Sequence, residues 1–241
     1  MSQEIKTHRP RILIVDDEPG VIRALQAGLE THGFETLGVM DGGKALEVID
    51  REQPDLLILD IIMPKMDGFE VCRRVRQCSE MPIIMLSARQ SEEDKVRCLN
   101  LGSDDYISKP FGMNELIARV KAVLRRTTGI GTTSVQPSLT CGSLTIDFVK
   151  RRVTIAGNEV RLTRTEFSLL QELTLNADKV LTHTHLLKTV WGPEYGEEKE
   201  YLRVFIGRLR AKLELNPLDP KYIVTMPSIG YKFEAPQKQS Y

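Results

Sequence analysis

Five polar side chains come directly after short apolar runs, and their types suit phosphate chemistry. Such runs, rich in β-branched residues and bounded by turn residues, predict strands that are buried on both faces of a parallel sheet. A carboxylate is expensive to bury, so we expect each polar group at a strand end, beside a crevice. The groups are Asp16 and Asp17 after the first run, Asp60 after the third, Ser87 after the fourth and Lys109 after the fifth.

Together these groups predict a phosphoryl acceptor site. Three carboxylates at one crevice repel one another unless a hard cation joins them, and Mg²⁺ takes oxygen ligands and bridges to phosphoryl oxygens. Lys109 supplies a positive charge for a developing anion, and Ser87 supplies a hydroxyl donor. On these residues we expect Asp60 to accept a phosphoryl group. The alternative is that Asp60 only caps the turn that follows it.

The elements that must position this site alternate regularly over the first half of the chain. Five strand-like runs, at 11–15, 34–40, 56–60, 82–86 and 104–107, alternate with helical patterns at 21–29, 43–51, 69–78, 92–101 and 114–126. This alternation predicts an α/β fold, a (βα)5 doubly wound parallel sheet covered by helices on both faces. Right-handed crossovers then bring the carboxyl ends of the strands to one edge.

Composition narrows the class of protein further. The chain has 241 residues, 41% of them hydrophobic and 27% charged, with a formal net charge of zero, which is ordinary for a soluble protein of one or two domains. No run approaches the ~18 apolar residues of a membrane span, and the polar first ten residues do not resemble a secretory signal. The four cysteines lack metal-site spacing, so we expect reduced thiols and a cytoplasmic location without membrane contact.

The second half of the chain has a different pattern. Short strand-like pieces at 139–146, 149–155 and 159–162 predict a small antiparallel sheet. Thr163 and Glu166 form a capping box at the start of a helix, further helices are predicted at 182–190 and 201–213, and 222–233 reads as a hairpin. We expect a first domain at 1–126, a flexible Gly/Thr/Ser linker at 127–138 and an α+β second domain at 139–241.

The third helix of this second domain has one apolar and one basic face. Leu202, Phe205, Ile206 and Leu209 form the stripe that we expect to be buried. Tyr201, Val204 and Arg208 are expected on the opposite face, flanked by Arg203, Gly207 and Lys212. A basic exposed face alone is compatible with solubility only. Because a helix-turn-helix followed by a hairpin fits DNA, we expect this helix to enter the major groove.

The first domain resembles the receiver domain of bacterial two-component response regulators. The matching motifs are IVDDE at 14–18, LDIIMPKMDG at 59–68, LSAR at 86–89 and GSDDYISKPF at 102–111. The resemblance implies that Asp60 accepts phosphate from a sensor histidine kinase, with Mg²⁺ held by Asp16, Asp17, Asp60 and the backbone carbonyl of Ile62. It also implies that Ser87 and Tyr106 form a switch pair and that Lys109 faces the phosphate. Without the family, Tyr106 could equally be a static surface aromatic.

A charged surface on 92–101, 104–107 and 114–126 is either a solvated face or, by resemblance to the winged-helix subfamily, a two-fold homodimer contact. Carried over, Lys95 meets Glu115, Asp105 meets Arg119, and Glu93 meets Arg126 across the dimer. Asn100 stands where an acidic partner for Lys121 is usual. The apolar centre of the contact would consist of Val96, Leu99 and Ala118.

The second domain resembles the winged helix-turn-helix effector domain of OmpR/PhoB-type regulators, through LTRTEFSLL, VLTHTHLL, VWG, LRVFIGRLRAKLE and IGYKF. The resemblance implies binding of double-stranded DNA, with RNA polymerase as a candidate partner. Pro227 stands where many relatives place a minor-groove Arg. The DNA contacts that follow by analogy are Tyr201, Val204, Gly207 and Arg208 to bases, and Arg203, Arg210, Lys212 and Lys232 to phosphates.

Two other functions fit parts of the sequence. A phosphatase with an aspartyl-phosphate intermediate needs a second Asp two residues after the nucleophile, where this chain has Ile62; we therefore expect no enzyme. A protein-binding adaptor whose winged helix has lost DNA binding is the other alternative. His183 and His185 lack further metal ligands at suitable spacing and are expected to be surface histidines. The segment 191–203 resembles regulators of potassium-uptake operons.

Overall fold

The computed structural model describes residues 9–88, 91–128 and 137–235, with side chains in the second range described to 125. The chain divides into two compact units, Met1–Leu124 and Arg125–Tyr241, which we call unit 1 and unit 2. The predicted linker at 127–138 largely lies outside the described residues, although 127 and 128 still belong to a helix and Ser138 to a strand.

Unit 1 is a five-stranded parallel sheet with helices on both faces, as predicted. The strand order is β2-β1-β3-β4-β5, with all neighbouring strands parallel. In chain order the elements are β1 (Arg11–Val15), α1 (Pro19–Glu30), β2 (Glu35–Val39), α2 (Gly42–Glu52), β3 (Leu56–Asp60), α3 (Gly68–Cys78), β4 (Ile83–Ser87), α4 (Glu92–Leu101), β5 (Asp105–Ser108) and α5 (Met113–Thr128).

The core of unit 1 follows from the alternation of side chains along each strand. Strands β1, β3 and β4 are almost wholly apolar, and their residues are buried on both faces. One face packs against α1 and α5, whose apolar stripes include Leu25 and Leu116. The opposite face is covered by α2, α3 and α4. The edge strand β2 stays partly exposed. In the three buried strands the polar groups lie at the strand ends, because both faces of these strands are covered.

Helix ends in unit 1 are fixed by local side-chain caps. Asp41, Asp67 and Ser91 each accept a hydrogen bond from the first turn of α2, α3 and α4 respectively. Such caps satisfy backbone N–H groups that have no partner within the helix and are each worth ~1 kcal/mol. They explain why the predicted helix starts agree with the structure to within a residue or two.

Unit 2 holds two antiparallel sheets around three helices. The four-stranded sheet consists of β6 (Ser138–Cys141), β7 (Leu144–Asp147), β8 (Arg152–Ile155) and β9 (Asn158–Val160). The helices are α6 (Arg164–Leu175), α7 (His183–Val190) and α8 (Lys199–Leu213). The three-stranded sheet, ordered β10-β12-β11, consists of β10 (Val180–Thr182), β11 (Ile223–Met226) and β12 (Gly230–Phe233).

The predicted elements of unit 2 are found, with two differences. The run predicted at 139–146 is two strands, β6 and β7, joined by a turn in which Gly142 has a positive φ of 59°. Strand β10 was not predicted; it pairs with β12. The capping box of Thr163 and Glu166 is present. The four cysteines are free thiols. No helix in the described part of the chain is long and apolar enough to span a bilayer.

Candidate functional site

The carboxyl ends of three neighbouring strands meet at one edge of the unit 1 sheet. Asp60 ends β3, and its register with β4 places Ser87 one residue beyond the level of Asp60. The register between β1 and β3 brings Asp16, the residue after β1, level with Asp60. The edge thus collects the polar groups that the sequence placed there, because every strand of the sheet runs in the same direction.

Lys109 joins two carboxylates at this edge. Its Nζ lies 2.7 Å from Oδ2 of Asp16 and 2.7 Å from Oδ1 of Asp60. Asp16 has no exposed surface and Asp60 is only 4% exposed. Buried carboxylates are tolerated only when they are paired or hydrogen-bonded, so the ammonium group of Lys109 is what allows the two acids to lie side by side.

Burial and the ion pairs of Lys109 act in opposite directions on the pKa values of Asp60 and Lys109. Burial raises the pKa of the Asp60 carboxyl, and the nearby Asp16 adds to this effect, while the hydrogen bond and charge of Lys109 oppose it. Burial alone would lower the pKa of Lys109, but its hydrogen bonds to Asp16 and Asp60 outweigh burial and raise it. Lys109 therefore stays charged at neutral pH, opposite a carboxylate that is costly to keep ionised.

Backbone groups hold the acids in place. The N–H of Ile62 donates to Oδ2 of Asp60 at 2.9 Å, and the N–H of Glu18 donates to Oδ1 of Asp16 at 2.9 Å. A Cβ on Gly68 would lie 2.2 Å from the carbonyl oxygen of Asp60, so only glycine allows the start of α3 to approach the site this closely. The Lys109–Pro110 peptide bond is cis.

The predicted metal ligands are only partly brought together. Among the residues that the structure describes, no group of three or more His, Cys, Asp and Glu side chains converges as a metal site. Asp16 and Asp60 converge on Lys109, whereas Asp17 and Ile62 are exposed beside them. The donor set still fits Mg²⁺, since this ion accepts one or two carboxylates and keeps several waters.

The two residues expected to form a switch pair are both buried. Ser87 has no exposed surface and Tyr106 is 6% exposed. Tyr106 is therefore not a surface aromatic in this structure, contrary to the alternative considered from the sequence. Ser87 ends β4 and Tyr106 lies in the neighbouring strand β5, where Met85 is its Cα partner.

The charged surface on α4, β5 and α5 makes a contact within the chain. Nη1 of Arg119 lies 3.1 Å from Oδ1 of Asp105, and Nη2 lies 3.0 Å from Oε1 of Glu115. The pair predicted across a dimer is thus already formed inside one protomer. Glu93 and Glu115 are exposed, Lys95, Val96 and Ala118 are half-buried, and the side chain of Arg126 lies outside the described residues.

Leu99 was predicted to lie at the apolar centre of a dimer contact, but it is buried inside unit 1. It has no exposed surface in the structure. A helix of ten residues that covers one edge of a sheet buries the stripe facing the sheet, and Leu99 belongs to that stripe together with Cys98. It therefore presents no surface to a second protomer.

The buried stripe of α8 is as predicted, but Tyr201 is not on the opposite face. Leu202, Phe205, Ile206 and Leu209 are buried. Tyr201 is 1% exposed and lies edge-on to Trp191 and Tyr195, at centroid distances of 6.4 and 6.1 Å. The predicted position of Tyr201 on the opposite, exposed face of α8 is therefore wrong, because an aromatic cluster formed with the segment before α8 encloses it.

Three basic residues of α8 are bound within unit 2. Arg208 Nη2 lies 2.7 Å from Oε1 of Glu166, and Lys212 Nζ lies 2.7 Å from Oε2 of the same fully buried carboxylate. Arg210 donates to the carbonyl oxygen of Ile223 at 2.6 Å and to Oγ1 of Thr225 at 2.8 Å. These side chains fix α8 to the start of α6 and to β11, and their predicted contacts with DNA stay predictions.

The surface that α8 presents to solvent is centred on other residues. Lys199, Arg203, Gly207 and Ala211 are exposed at four-residue intervals, and Val204 flanks them half-buried. Apart from the two chain neighbours and the nearby backbone of α8 itself, no heavy atom lies within 4 Å of the position that a Cβ on Gly207 would take. Lys199 was missed because α8 begins two residues before the predicted start at 201. We call Lys199, Arg203 and Gly207 the exposed strip of α8.

Lys232 of the hairpin and the two histidines of α7 have contacts within unit 2. Lys232 forms an ion pair with Glu234 at 2.6 Å, and Pro227 is exposed at the hairpin tip. Nε2 of His185 lies 2.9 Å from Oε1 of Glu172, while the ring of His183 lies edge-on to Tyr231. In the described part of the chain neither histidine belongs to a metal-binding group.

Comparison with known proteins matches both units. Residues 12–121 match the response regulator receiver domain, and residues 157–233 match the domain described as transcriptional regulatory protein, C terminal. The chain is 42% identical over 224 residues to the transcriptional regulatory protein KdpE of Mycobacterium tuberculosis, covering 93% of this chain and 99% of that protein.

Solved structures also match the chain over nearly its whole length. A mutant of RitR matches with a TM-score of 0.74 and 26% identity, covering 93% of this chain and 98% of that one. The response regulator DrrB of Thermotoga maritima, described as an OmpR/PhoB homolog, matches with a TM-score of 0.51 and 29% identity, covering 94% of this chain and all of that one.

Proposed function

This chain belongs to the OmpR/PhoB-type response regulators, and we propose that Asp60 is the residue through which its activity is switched. The protein is a phosphorylation-dependent transcription regulator of a two-component system, with a receiver domain in unit 1 and a winged-helix DNA-binding domain in unit 2. A sensor histidine kinase donates the phosphoryl group to Asp60, and double-stranded DNA is the ligand of unit 2. Because its ligand is the chromosome, the regulator works in the cytoplasm.

The observation that carries the proposal is the position of Lys109 between two buried acids, 2.7 Å from each. A phosphoryl group on Asp60 brings further negative charge and acceptor oxygens, and Lys109 is already in place to neutralise them. Asp16, Asp17, Asp60 and the carbonyl of Ile62 would hold Mg²⁺, which supplies further charge neutralisation during phosphoryl transfer. The side chains of Asp16, Asp60 and Lys109 would position the phosphoryl group and the ion.

The phosphorylated site would act on the receiver surface through Ser87 and Tyr106. Ser87 can move to bond a phosphoryl oxygen. Tyr106 would then occupy the space that Ser87 leaves beside β4 and would be held in its buried position. We expect the change to favour a homodimer through the α4-β5-α5 face, in which Arg119 exchanges its partner Asp105 for the Asp105 of a second protomer. Exchange of one ion pair for an equal one costs little, ~0–1 kcal/mol.

Labelling of the full chain with a small phosphodonor tests the role of Asp60. The wild-type protein should take up hydroxylamine-labile phosphate in the presence of Mg²⁺, and Asp60→Asn should abolish the uptake. Asp50→Asn is the matched control, since Asp50 is an exposed acid on α2. Equal labelling of Asp60→Asn and wild type would remove Asp60 from the mechanism. We expect no turnover of phosphomonoesters, because Ile62 stands where a phosphatase of this type needs an acid.

Selection of bound genomic fragments with phosphorylated protein tests the DNA-binding role and separates it from a protein-binding adaptor. The resemblance of 191–203 to regulators of potassium-uptake operons makes the promoter of such an operon the first fragment to examine. RNA polymerase is the further partner to test at any promoter that is selected. Recovery of no fragment above background would favour the adaptor.

A further inference from the structure

The loop that joins α8 to β11, residues 214–222, exposes two leucines. Leu215 is 100% exposed and Leu218 is 95% exposed, more than any other large hydrophobic side chain that the structure describes. A single exposed leucine is ordinary at a protein surface, but two in one short loop form an apolar patch. Neither side chain contributes to the core of unit 2, so folding does not account for them.

The base of this loop is closed by Glu214. Oε1 of its carboxylate accepts the N–H groups of Tyr222 and Ile223, each at 2.9 Å, and Oε2 accepts the N–H of Lys221 at 2.9 Å. Three hydrogen bonds to one charged acceptor are strong bonds. They hold the start of β11 against the end of α8.

The backbone inside the loop is fixed as well. Oδ1 of Asn216 accepts the N–H of Leu218, and the carbonyl oxygen of Asn216 accepts the N–H of Asp219, both at 3.1 Å. Pro217 and Pro220 each restrict φ to a narrow range. The loop therefore presents its leucines in a defined shape, and a contact made through it would cost little conformational freedom.

A groove of about 610 Å³ lies directly beside the leucines. Its walls include Ser143 of the β6–β7 turn, Ile155 at the end of β8, Leu213 at the end of α8, and Leu215 and Tyr222 of the loop. A volume of this size is typical of pockets that enclose a ligand. The groove is thus large enough to receive an apolar side chain from another molecule.

The rim of the groove carries one acid and one base that are available to a partner. Asp219 and Lys221 both line the groove and are exposed, and within the described part of the chain neither side chain has an ion-pair partner. The other two charged residues of the lining are already bound, Lys212 to Glu166 and Glu214 to the backbone of the loop. The groove therefore fits a partner that offers an apolar side chain together with one base and one acid.

A second copy of the same loop has these groups in the required order. When two loops run antiparallel about a two-fold axis at Pro220, Asp219 of each copy faces Lys221 of the other. The same register places Leu218 of each copy opposite Tyr222, which lines the groove of the other. One arrangement therefore matches charge and apolar surface together, and two-fold symmetry repeats the match.

We propose that the loop 214–222 and its groove form a two-fold contact between two copies of this chain. The contact uses unit 2 alone, so it is distinct from the α4-β5-α5 face and does not require phosphorylation of Asp60. The loop supplies fewer than half of the about 20–30 residues per side of a standard interface, so the contact is weak in dilute solution. It becomes effective when two copies are held close together, as on one duplex, because their effective concentration is then high.

Sedimentation equilibrium of the unphosphorylated full chain tests the contact. An Asp60→Asn background excludes any dimer that depends on phosphate. The chain should be monomeric at about 10 μM and should form an increasing fraction of dimer towards about 1 mM. Leu218→Ser should abolish this increase. Val149→Ser is the matched control, since Val149 is a 78% exposed apolar residue in the β7–β8 turn, and it should leave the increase unchanged.

Charge reversal tests the two-fold register. Asp219→Lys alone and Lys221→Asp alone place like charges opposite each other, so each should weaken the dimer by about tenfold or more. The double variant restores opposite charges at both pairs and should dimerise like the wild type. Because both side chains are exposed, all three variants should unfold at the same temperature as the parent chain.

Three results would overturn the proposal. They are a chain that stays monomeric at about 1 mM, a dimer that Leu218→Ser leaves unchanged, and a double charge variant that does not regain the dimer. None of these measurements involves phosphate uptake or DNA, so their outcome is independent of the proposed function.

Discussion

Nη2 of Arg208 lies 2.7 Å from Oε1 of Glu166, a carboxylate with no exposed surface, and Lys212 holds the other oxygen of that carboxylate at 2.7 Å. The same Glu166 accepts the N–H of Thr163 as part of the capping box of α6. One buried acid therefore fixes the start of α6 to the second half of α8. The basic residues that it holds fix α8 within unit 2, and the exposed strip is the part of α8 that we propose for contact with DNA.

Arg203→Ala should weaken DNA binding without affecting stability, whereas Arg208→Ala should reduce stability without affecting the salt dependence of DNA binding. Loss of Arg203 removes an exposed cation, so we expect weaker binding to any duplex, a salt slope lower by about one and unchanged stability. Loss of Arg208 breaks a buried ion pair, and we expect a loss of about 3 kcal/mol of unfolding free energy with an unchanged salt slope. Salt titration of binding and urea unfolding measure both. A reduced salt slope for Arg208→Ala would contradict this assignment.

Gly207→Ala should stabilise unit 2 while weakening its binding to DNA. Glycine inside a helix costs up to about 1 kcal/mol relative to alanine, and a Cβ at Gly207 meets no atom of the protein within 4 Å apart from its chain neighbours and the nearby backbone of α8. Folding therefore does not require glycine here, and we attribute it to close approach of the DNA. Thermal unfolding and a binding titration test the two effects. Unchanged DNA affinity in a stabilised variant would show that the groove does not contact this position.

Asp17→Asn should reduce the stabilisation of the protein by Mg²⁺. Asp17 is exposed beside the buried pair of Asp16 and Asp60, where a third carboxylate would strengthen binding of a hard cation. A ligand that binds only the folded state raises the melting temperature with its concentration. The control is Glu18→Gln, an exposed neighbouring acid. Equal Mg²⁺ responses of the two variants would remove Asp17 from the ligand set.

Asp60→Asn should become relatively more stable than the wild type as the pH rises. Burial raises the pKa of the Asp60 carboxyl in the folded protein, so the ionised form is less favourable in the folded than in the unfolded chain. The wild type therefore loses stability as the pH increases through the folded pKa, and the amide does not. Unfolding free energies at about pH 4 and about pH 7 test the sign. A difference that moves in favour of the wild type would contradict it.

The sequence by itself determined the architecture of unit 1 and the membership of its acidic edge. Apolar runs, caps and turn residues are local signals that define the strands and helices. The right-handedness of the crossovers then brings the carboxyl ends of the strands to one edge. Asp16, Asp60, Ser87 and Lys109 could be assigned to one edge for that reason. The capping box at Thr163 was equally local, since its two side chains lie three residues apart.

Only the tertiary structure decided which side chains of α8 are free. A helix turns by about 100° per residue, so a small rotation of α8 exchanges exposed and buried positions at the edge of its apolar stripe. Tyr201 is enclosed by Trp191 and Tyr195, and Arg208 is held by Glu166, which lies 42 positions earlier in the sequence. The partners of long side chains depend on where other elements come to lie. No local pattern in the sequence contains that information.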